Sequence, residues 1–382
     1  MSDPAMNELL QARISRTALR HNFQLLQAYA GTVPLCAMVK ANAYGHSIPC
    51  ILQALQGLPK AFWGVASLSE AVELRDLGVK EPILLARPFG DYESSHALTE
   101  TLDILSRLEI RTTLVNREGL DCLMRHRAPD APRLPVHIKM DSGMGRNGCP
   151  AEETLALLQA AMAAPTLSVE GFYSHFAAAD DSDLTSARAQ LETFESVARE
   201  LRSRGLAVPF LHMANSGAIF NLPASHYGLV RPGIALYGYA HPDVKGSEQL
   251  QPTLTLDAPV LMTKRIRKGM RCGYGGTFQA TRDSLIALLP IGYADGYSRQ
   301  WSNQGQVDFS GRRAPVIGRI SMDLTIIDVT DVPGIQAGCR ARLISPHRND
   351  PHSVESMARQ LGTIPYEIVT LLGRRVQRLL TD

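Results

Sequence analysis

The sequence predicts an α/β protein: an N-terminal (β/α)8 barrel of the TIM type, followed by a mainly β domain. From about Thr17 to about Tyr239, short apolar runs rich in β-branched residues alternate with longer stretches of helical spacing. Eight such runs occur, the number a closed barrel requires. After about Pro252 the pattern changes to β-rich runs punctuated by turns. A doubly wound sheet is the competing architecture, because alternation alone does not close a barrel.

The strand-like runs are 34–39, 62–66, 82–86, 101–105, 135–140, 167–173, 210–213 and 228–230, with 111–115 competing for the fourth place. Residues 17–30 read as a helix with Leu19, Phe23 and Leu26 on one face behind a threonine cap. Residues 69–77 carry Glu70 and Glu73 early, where acids favour a helix N-terminus. Residues 184–203 form a further helix. The stretch 241–251, rich in turn and charged residues, reads as a linker. Beyond it, 253–260, 284–291, 306–309, 316–317, 324–329 and 341–344 read as strands, and 353–361 and 366–372 as short helices. The expected domains are therefore 13–242 for the barrel and 250–382, with 1–12, for the β domain.

At 382 residues the chain is long enough for two domains and a large core. Lys plus Arg number 39 and Asp plus Glu 37, a net charge of +2, which lacks the basic excess of a nucleic-acid-binding protein. Six cysteines (Cys36, Cys50, Cys122, Cys149, Cys272 and Cys339) include no C-x-x-C pair and match no zinc spacing, so scattered thiols in a reducing compartment are expected. The N-terminus has no basic region leading into an apolar stretch, and no apolar run approaches membrane-spanning length. A cytoplasmic protein without membrane association is expected.

Gly143-Met-Gly-Arg-Asn-Gly148 matches G-x-G-x-x-G after a strand and before a helix. It lies mid-chain rather than in the first βαβ unit, and the following acid is poorly placed, so an oxidoreductase reading ranks last. The polar residues that follow the strand runs are more informative. Lys40 follows the first, Arg146 the fifth, His175 the sixth, Asn215 and Ser216 the seventh, and Arg231 the eighth. In a barrel these converge on the C-terminal rim, where active sites lie.

The segment Val39-Lys-Ala-Asn-Ala-Tyr-Gly-His46 resembles the pyridoxal-phosphate lysine motif of the alanine racemase family. Further segments match in family order: Lys139-Met-Asp-Ser-Gly-Met-Gly-Arg146, His175-Phe-Ala-Ala-Ala-Asp180, His212-Met-Ala-Asn-Ser216 and Arg231-Pro-Gly-Ile234. In the second domain the matches are Gly273-Tyr-Gly275, Gly292-Tyr-Ala-Asp-Gly-Tyr297, Gly318-Arg-Ile-Ser-Met-Asp323 and Ile364-Pro-Tyr-Glu367. Mild departures fall at Ser47, Ser321, Cys272 and Gly273.

The resemblance implies a two-base isomerase that interconverts L- and D-alanine with pyridoxal 5′-phosphate. Lys40 holds the cofactor as a Schiff base and acts as base on one face, while Tyr274 from the other subunit of a homodimer acts on the opposite face. Tyrosine ordinarily titrates near ~10, so positive charge is needed to make it a base, and His175 with Arg231 could relay that influence. Arg231 is assigned to the pyridine nitrogen, where a permanent donor limits charge flow into the ring and favours racemisation over transamination. Tyr44, Ser216, Tyr366 and the N–H groups of Gly233 and Ile234 fit the phosphate, with Asn215 beside them. Arg146 fits the cofactor phenolate and the substrate carboxylate. Met322 offers its N–H to that carboxylate. Lys139 is a carbamate candidate that orients Arg146, the alternative being an uncarbamylated amine paired with Asp141 or another acid. Tyr293, Arg299, Arg319 and Asp323 line the approach, with Tyr293 and Tyr366 as the inner gate. No metal is implied. A serine or broad-specificity racemase is the nearest rival. A decarboxylase would place an acid on the pyridine nitrogen, and a non-catalytic pyridoxal-phosphate protein would need neither Tyr274 nor a second domain.

Overall fold

Strand β1 (Gln11–Ser15) leads into helix α1 (Arg16–Ala30). Leu19, Phe23 and Leu26 are buried along one face of α1, as their spacing requires. The cap is Ser15 rather than a threonine: its Oγ accepts from the Ala18 N–H at 3.1 Å. The computed structural model describes residues 10–90, 95–128 and 130–382. The first nine residues, expected to join the second domain, lie outside that range. Two compact units result. One comprises residues 21–43 and 56–250; the other comprises the described residues up to Arg20, then Tyr44–Leu55 and Gln251–Asp382.

In the first unit, a curled parallel sheet runs in the order β2 (Cys36–Met38), β3 (Phe62–Val65), β4 (Ile83–Pro88), β5 (Ile110–Leu114), β6 (Leu134–Asp141), β8 (Leu167–Tyr173), β9 (Phe210–His212), with the short β7 (Cys149–Pro150) paired to β6. The eighth run makes a single parallel bridge, Val230 to Leu35, rather than a full strand. It still closes the circuit. Cys36 N–H donates to Val230 O at 2.8 Å, and Val230 N–H to Pro34 O at 3.1 Å. On its other side Gly228 N–H donates to Leu211 O at 3.0 Å. Strand β6 is buried on both faces, from Leu134 through Ile138 to Met140, as expected of a barrel strand.

The fourth strand is β5, the competing run. Residues 101–105 lie instead inside helix α5 (Ser95–Arg107), where Leu98, Leu102 and Leu105 recur at helical spacing and are buried. That spacing outweighs the β-branched content that mimicked a strand. Helix α2 (Lys40–Tyr44) is a left-handed turn: Ala41, Asn42, Ala43 and Tyr44 have φ of +53°, +51°, +55° and +53°. After α3 (Ile48–Ala54), helix α4 (Leu68–Asp76) starts at a Ser67–Glu70 capping box. Helices α6 (Arg117–His126), α7 (Ala151–Ala163), α8 (Thr185–Ser203) and α9 (Ser216–Asn221) follow. Among the described residues no helix is long and apolar enough to cross a membrane.

The second unit is mainly β. Its strands are β10 (Leu254–Pro259), β11 (Met262–Ile266), β12 (Arg271–Cys272), β13 (Phe278–Gln279), β14 (Ser284–Leu289), β15 (Gln306–Phe309), β16 (Arg312–Pro315), β17 (Thr325–Asp328), β18 (Arg340–Ile344) and β19 (Gln377–Thr381). The largest sheet is ordered β16-β15-β18-β10-β1-β19, beside a β11-β14-β17 sheet and the β12-β13 hairpin. The expected strand at 316–317 is only a bridge from Val316 to Ile327; its hairpin partner role belongs to β16. Helices α10 (Val354–Leu361) and α11 (Pro365–Thr370) close the chain before β19.

Candidate active site

The barrel strands deliver a cluster of basic side chains to their C-terminal ends. Lys40 follows β2, Lys139 lies within β6 and Arg146 follows it, His175 follows β8, and Arg231 follows the bridge at Val230. The Lys40 amine is held below its ordinary pKa, first by burial and then by Arg146, with Glu70 opposing. Glu70 also anchors the segment: Oε1 accepts from the Ala41 N–H at 2.6 Å, while Oε2 accepts from Ala66 and Ser67 at 2.9 and 3.1 Å. Sequence reasoning read Glu70 only as a helix-start acid. Its tie to the lysine turn has no local signal.

Arg231 is buried, and its two terminal nitrogens are anchored. It donates to His212 Nδ1 and to Ser174 O at 2.8 Å, to Met213 O at 3.2 Å and to His175 Nδ1 at 3.3 Å. Its guanidinium lies 5.2 Å from the Tyr173 ring centroid. No carboxylate compensates it in this set, so its charge projects into the cluster. Burial and then Arg231 hold His175 well below its ordinary pKa, so this imidazole is neutral.

Lys139 is buried, and burial, then Arg146 and Arg231, push its pKa down to about 8. Its amine bonds Asn147 Oδ1, a partner the sequence reading missed. Asp141, the partner expected of an uncarbamylated amine, is spent on the loop: its Oδ1 accepts the N–H groups of Gly143, Met144 and Gly145 at 2.9, 2.8 and 3.2 Å. These bonds also account for the G-x-G-x-x-G segment. Its amides face Asp141 instead of a pyrophosphate, and a Cβ on Gly148 would sit 2.4 Å from Asp141 N.

Near the closing strand, Ser216 Oγ accepts from the Gly233 N–H at 2.9 Å and the Ala235 N–H at 3.2 Å. Two N–H donors on that oxygen leave the Ser216 hydroxyl proton pointed elsewhere, free to donate. The Gly233 N–H is committed to Ser216, while the Ile234 N–H heads the turn Ile234–Tyr237, whose first amides have no partner within the turn. Asn215 caps α9, its Oδ1 accepting from Ala218 N–H at 3.1 Å.

The second unit holds the other expected residues. The Tyr44 and Tyr366 rings lie 6.1 Å apart. Tyr274 stands on the β12–β13 turn and is 70% exposed. The turn is fixed beneath by Cys272, Ile266, Ala280 and Ile317, and a Cβ on the adjacent Gly275 would meet Arg319 Nη1 at 2.9 Å. Tyr293 and Met322 are brought together by backbone bonds, Tyr293 N–H to Ser321 O at 3.2 Å and Ala294 N–H to Met322 O at 3.1 Å. Arg299 begins the next short turn, whose Ser302 hydroxyl accepts from Ile320 N–H at 3.0 Å. Asp323 is paired with Arg375 at 2.7 Å, and Arg375 also binds the buried Asp295 at 2.8 Å. Arg375 carried no motif signal.

Two family models cover this architecture: the alanine racemase N-terminal domain matches residues 14–241, and the alanine racemase C-terminal domain matches residues 253–380. The chain belongs to the alanine racemase family. It is 38% identical over 380 residues to an alanine racemase of Desulforamulus reducens, covering 98% of this chain and 99% of that one. It is 35% identical over 370 residues to one from Carboxydothermus hydrogenoformans, covering 96% and 98%. Among solved structures, alanine racemase from D-cycloserine-producing Streptomyces lavendulae superposes with a TM-score of 0.89 at 32% identity, covering 98% of this chain and 97% of that one. The Bartonella henselae alanine racemase, which carries covalently bound pyridoxal phosphate, gives 0.85 at 30% identity, covering 98% and 99%. The barrel and the β domain are thus the alanine racemase fold.

Within that fold, the cation cluster of Lys40, Lys139, Arg146 and Arg231 fits an anionic, phosphate-bearing cofactor. Its field is tempered by Glu70 and Asp141, and it includes a lysine amine whose proton is destabilised. The Ser216 hydroxyl and the Ile234 N–H lie where barrel proteins commonly bind phosphate, after the last two strands.

Proposed function

We propose that the protein is an alanine racemase that uses pyridoxal 5′-phosphate and interconverts L- and D-alanine by two bases. The observation that carries this reading is Arg231: a buried, uncompensated guanidinium held on neutral histidines and carbonyls beside a lysine of lowered pKa. Bound at this cluster, pyridoxal phosphate supplies a covalent link to the substrate amine and a sink for charge released at the substrate Cα.

The chain's own groups would then divide the work. Lys40 holds the cofactor and, once its amine is free, takes or returns a proton on one face; its lowered pKa enlarges the neutral fraction able to do so. Tyr274 of the partner subunit serves the opposite face, which makes a homodimer the active form. Arg231 binds the ring nitrogen as a donor that never gives up its proton. The Ser216 hydroxyl and Ile234 N–H, with Tyr44 and Tyr366, hold the phosphate; Gly233 and Asn215 shape the loop that presents them. Arg146 binds the phenolate and the substrate carboxylate, and the Met322 N–H of the partner subunit assists. His175 stays neutral beside Arg231 and passes on its influence. Tyr293, Arg299, Arg319 and Asp323 line the approach. Lys139, with a pKa near 8, has a reactive neutral amine for carbamate formation, in which its N–H is lost as a proton and an N–C bond forms to CO2.

The test is α-proton exchange. The cofactor-loaded protein is incubated in heavy water with a panel of L-amino acids, and deuterium uptake and chirality are read together. Exchange strongest for L-alanine, with D-alanine appearing, is expected. Comparable rates for L-serine would mark a broader racemase. No exchange with cofactor bound would overturn the proposal.

A further inference from the structure

Two imidazoles are packed behind Arg231, and the roles above leave one of them, His137, without a task. The distances fix a direction along the chain. A guanidinium only donates, so His212 Nδ1, 2.8 Å from Arg231, is an acceptor and the His212 proton resides on Nε2. That N–H donates to His137 Nδ1 at 2.9 Å. The His137 proton is thereby placed on its own Nε2, a buried atom with no hydrogen-bond partner among the described residues. Both rings are fully buried, and burial followed by nearby arginines holds both neutral, His137 down to about 3.

Packing holds the pair in place. Tyr173 stacks on His212 at 4.6 Å and 7°. Phe62 meets His137 edge-on at 5.8 Å. The Tyr173 hydroxyl is tied to Thr113 Oγ1 at 2.9 Å, and Thr113 donates to Leu85 O at 2.9 Å. Gly171 on β8 makes room for the ring: a Cβ there would lie 2.1 Å from His137 Nδ1.

We propose that His137 is a positioning residue for racemisation: by accepting the His212 Nε2–H, it locks the tautomer in which His212 accepts from Arg231. This rests on the assignment of Arg231 to the cofactor's ring nitrogen. In the opposite tautomer an Nδ1–H would face a guanidinium N–H, two donors with no acceptor between them, and Arg231 would lose a bond from its anchor. The unpartnered donor is displaced along the chain to His137 Nε2, away from the arginine. The arrangement carries no proton to Arg231; it fixes orientation.

The experiment is a two-bond 1H–15N correlation of the histidine rings in the dimethyl-sulfoxide-free, 15N-histidine-labelled holoenzyme, with steady-state kinetics on the same samples. Wild type is expected to show His212 neutral with its proton on Nε2. His137→Gln, whose amide oxygen restores an acceptor, should keep that pattern and stay within about threefold of wild-type kcat. His137→Leu should give mixed His212 tautomers, lower kcat by about tenfold with little change in KM, and raise the fraction of turnovers lost to transamination. A wild-type His212 that is charged or protonated on Nδ1 overturns the proposal, as does a His137→Leu enzyme with the wild-type tautomer and partition. The wild-type spectrum and His137→Gln suffice if His137→Leu does not fold. A protein without α-proton exchange but with the expected His212 tautomer would overturn the racemase reading instead, so the two failures are distinct.

Discussion

Replacing Glu70 by alanine removes one carboxylate and three hydrogen bonds, to the amides of Ala41, Ala66 and Ser67 at 2.6, 2.9 and 3.1 Å. The bond to Ala41 holds the start of a turn whose four residues, Ala41 to Tyr44, all have positive φ. Each L-residue in that region costs roughly 1–2 kcal/mol, so on the order of 4–8 kcal/mol of unfavourable conformation is retained beside Lys40. A bond to an ionised acceptor contributes about 1.5–3 kcal/mol, and partial exposure here puts each at or below the low end. Glu70→Ala should therefore cost roughly 2–3 kcal/mol. For a chain of 382 residues, unfolding with an entropy of about 2.1 cal/mol/K per residue, that lowers Tm by roughly 2–4 °C. The charge matters separately. Glu70 opposes the burial and the Arg146 repulsion that depress Lys40, so removing it lowers the Lys40 pKa further. The pH profile of cofactor capture, which requires the neutral amine, should shift to lower pH in both Glu70→Ala and Glu70→Gln. The assays are thermal unfolding by circular dichroism and capture rate against pH. A Glu70→Ala protein that melts within about 1 °C of wild type, with an unmoved profile, would refute the reasoning.

Three more perturbations test other parts of the structure. With 13C-bicarbonate, a carbamate resonance on Lys139 should strengthen as pH rises through about 8, where its amine loses its proton; Lys139→Met should abolish it, and a pH-independent signal would contradict the assignment. Acid should destabilise the barrel through His137: its folded pKa of about 3 lies below the unfolded value near ~6.5, so the unfolded chain binds more protons between those limits and stability falls as pH drops through that window. His137→Gln should flatten this dependence in denaturant titrations, and an unchanged slope would count against it. Gly45→Ala sets a Cβ 1.9 Å from Val369 O at a φ of +79°, so a loss of about 3 kcal/mol or more is expected from chemical denaturation.

The barrel and the rim positions of Lys40, His175, Ser216 and Arg231 were legible because strands and the residues just past them are local patterns. Residues 101–105 misled because a short apolar run containing the β-branched Thr101 and Ile104 conceals the helical period that Leu98, Leu102 and Leu105 satisfy. Strands β1, β11 and β19 went unread: β1 alternates, but over only five residues and with a small alanine as one of its two apolar positions, while β11 is largely exposed and β19 is half-buried throughout. The parts of the site that sequence missed are long-range contacts. Glu70 reaches Ala41 across 29 positions, His137 reaches His212 across 75, and Arg375 reaches Asp323 across 52. Asn147 is close in sequence to Lys139, yet only the curl of the glycine loop brings the amide onto the amine.

The position of β1 governs the order in which the second unit can be completed. It lies between β10, antiparallel to it, and β19, parallel to it, so it has one neighbour made some 240 residues later (Ile14 with Leu254) and another some 366 residues later (Gln11 with Gln377). Ala12 and Ile14, fully buried in the finished sheet, stay without their final cover until β19 has been made. Closure of this sheet is thus a late event with large loop-closure entropy, and a nascent chain carries an unpaired strand throughout elongation. Loss of β19 would leave β1 as a bare edge, a template for pairing with another chain.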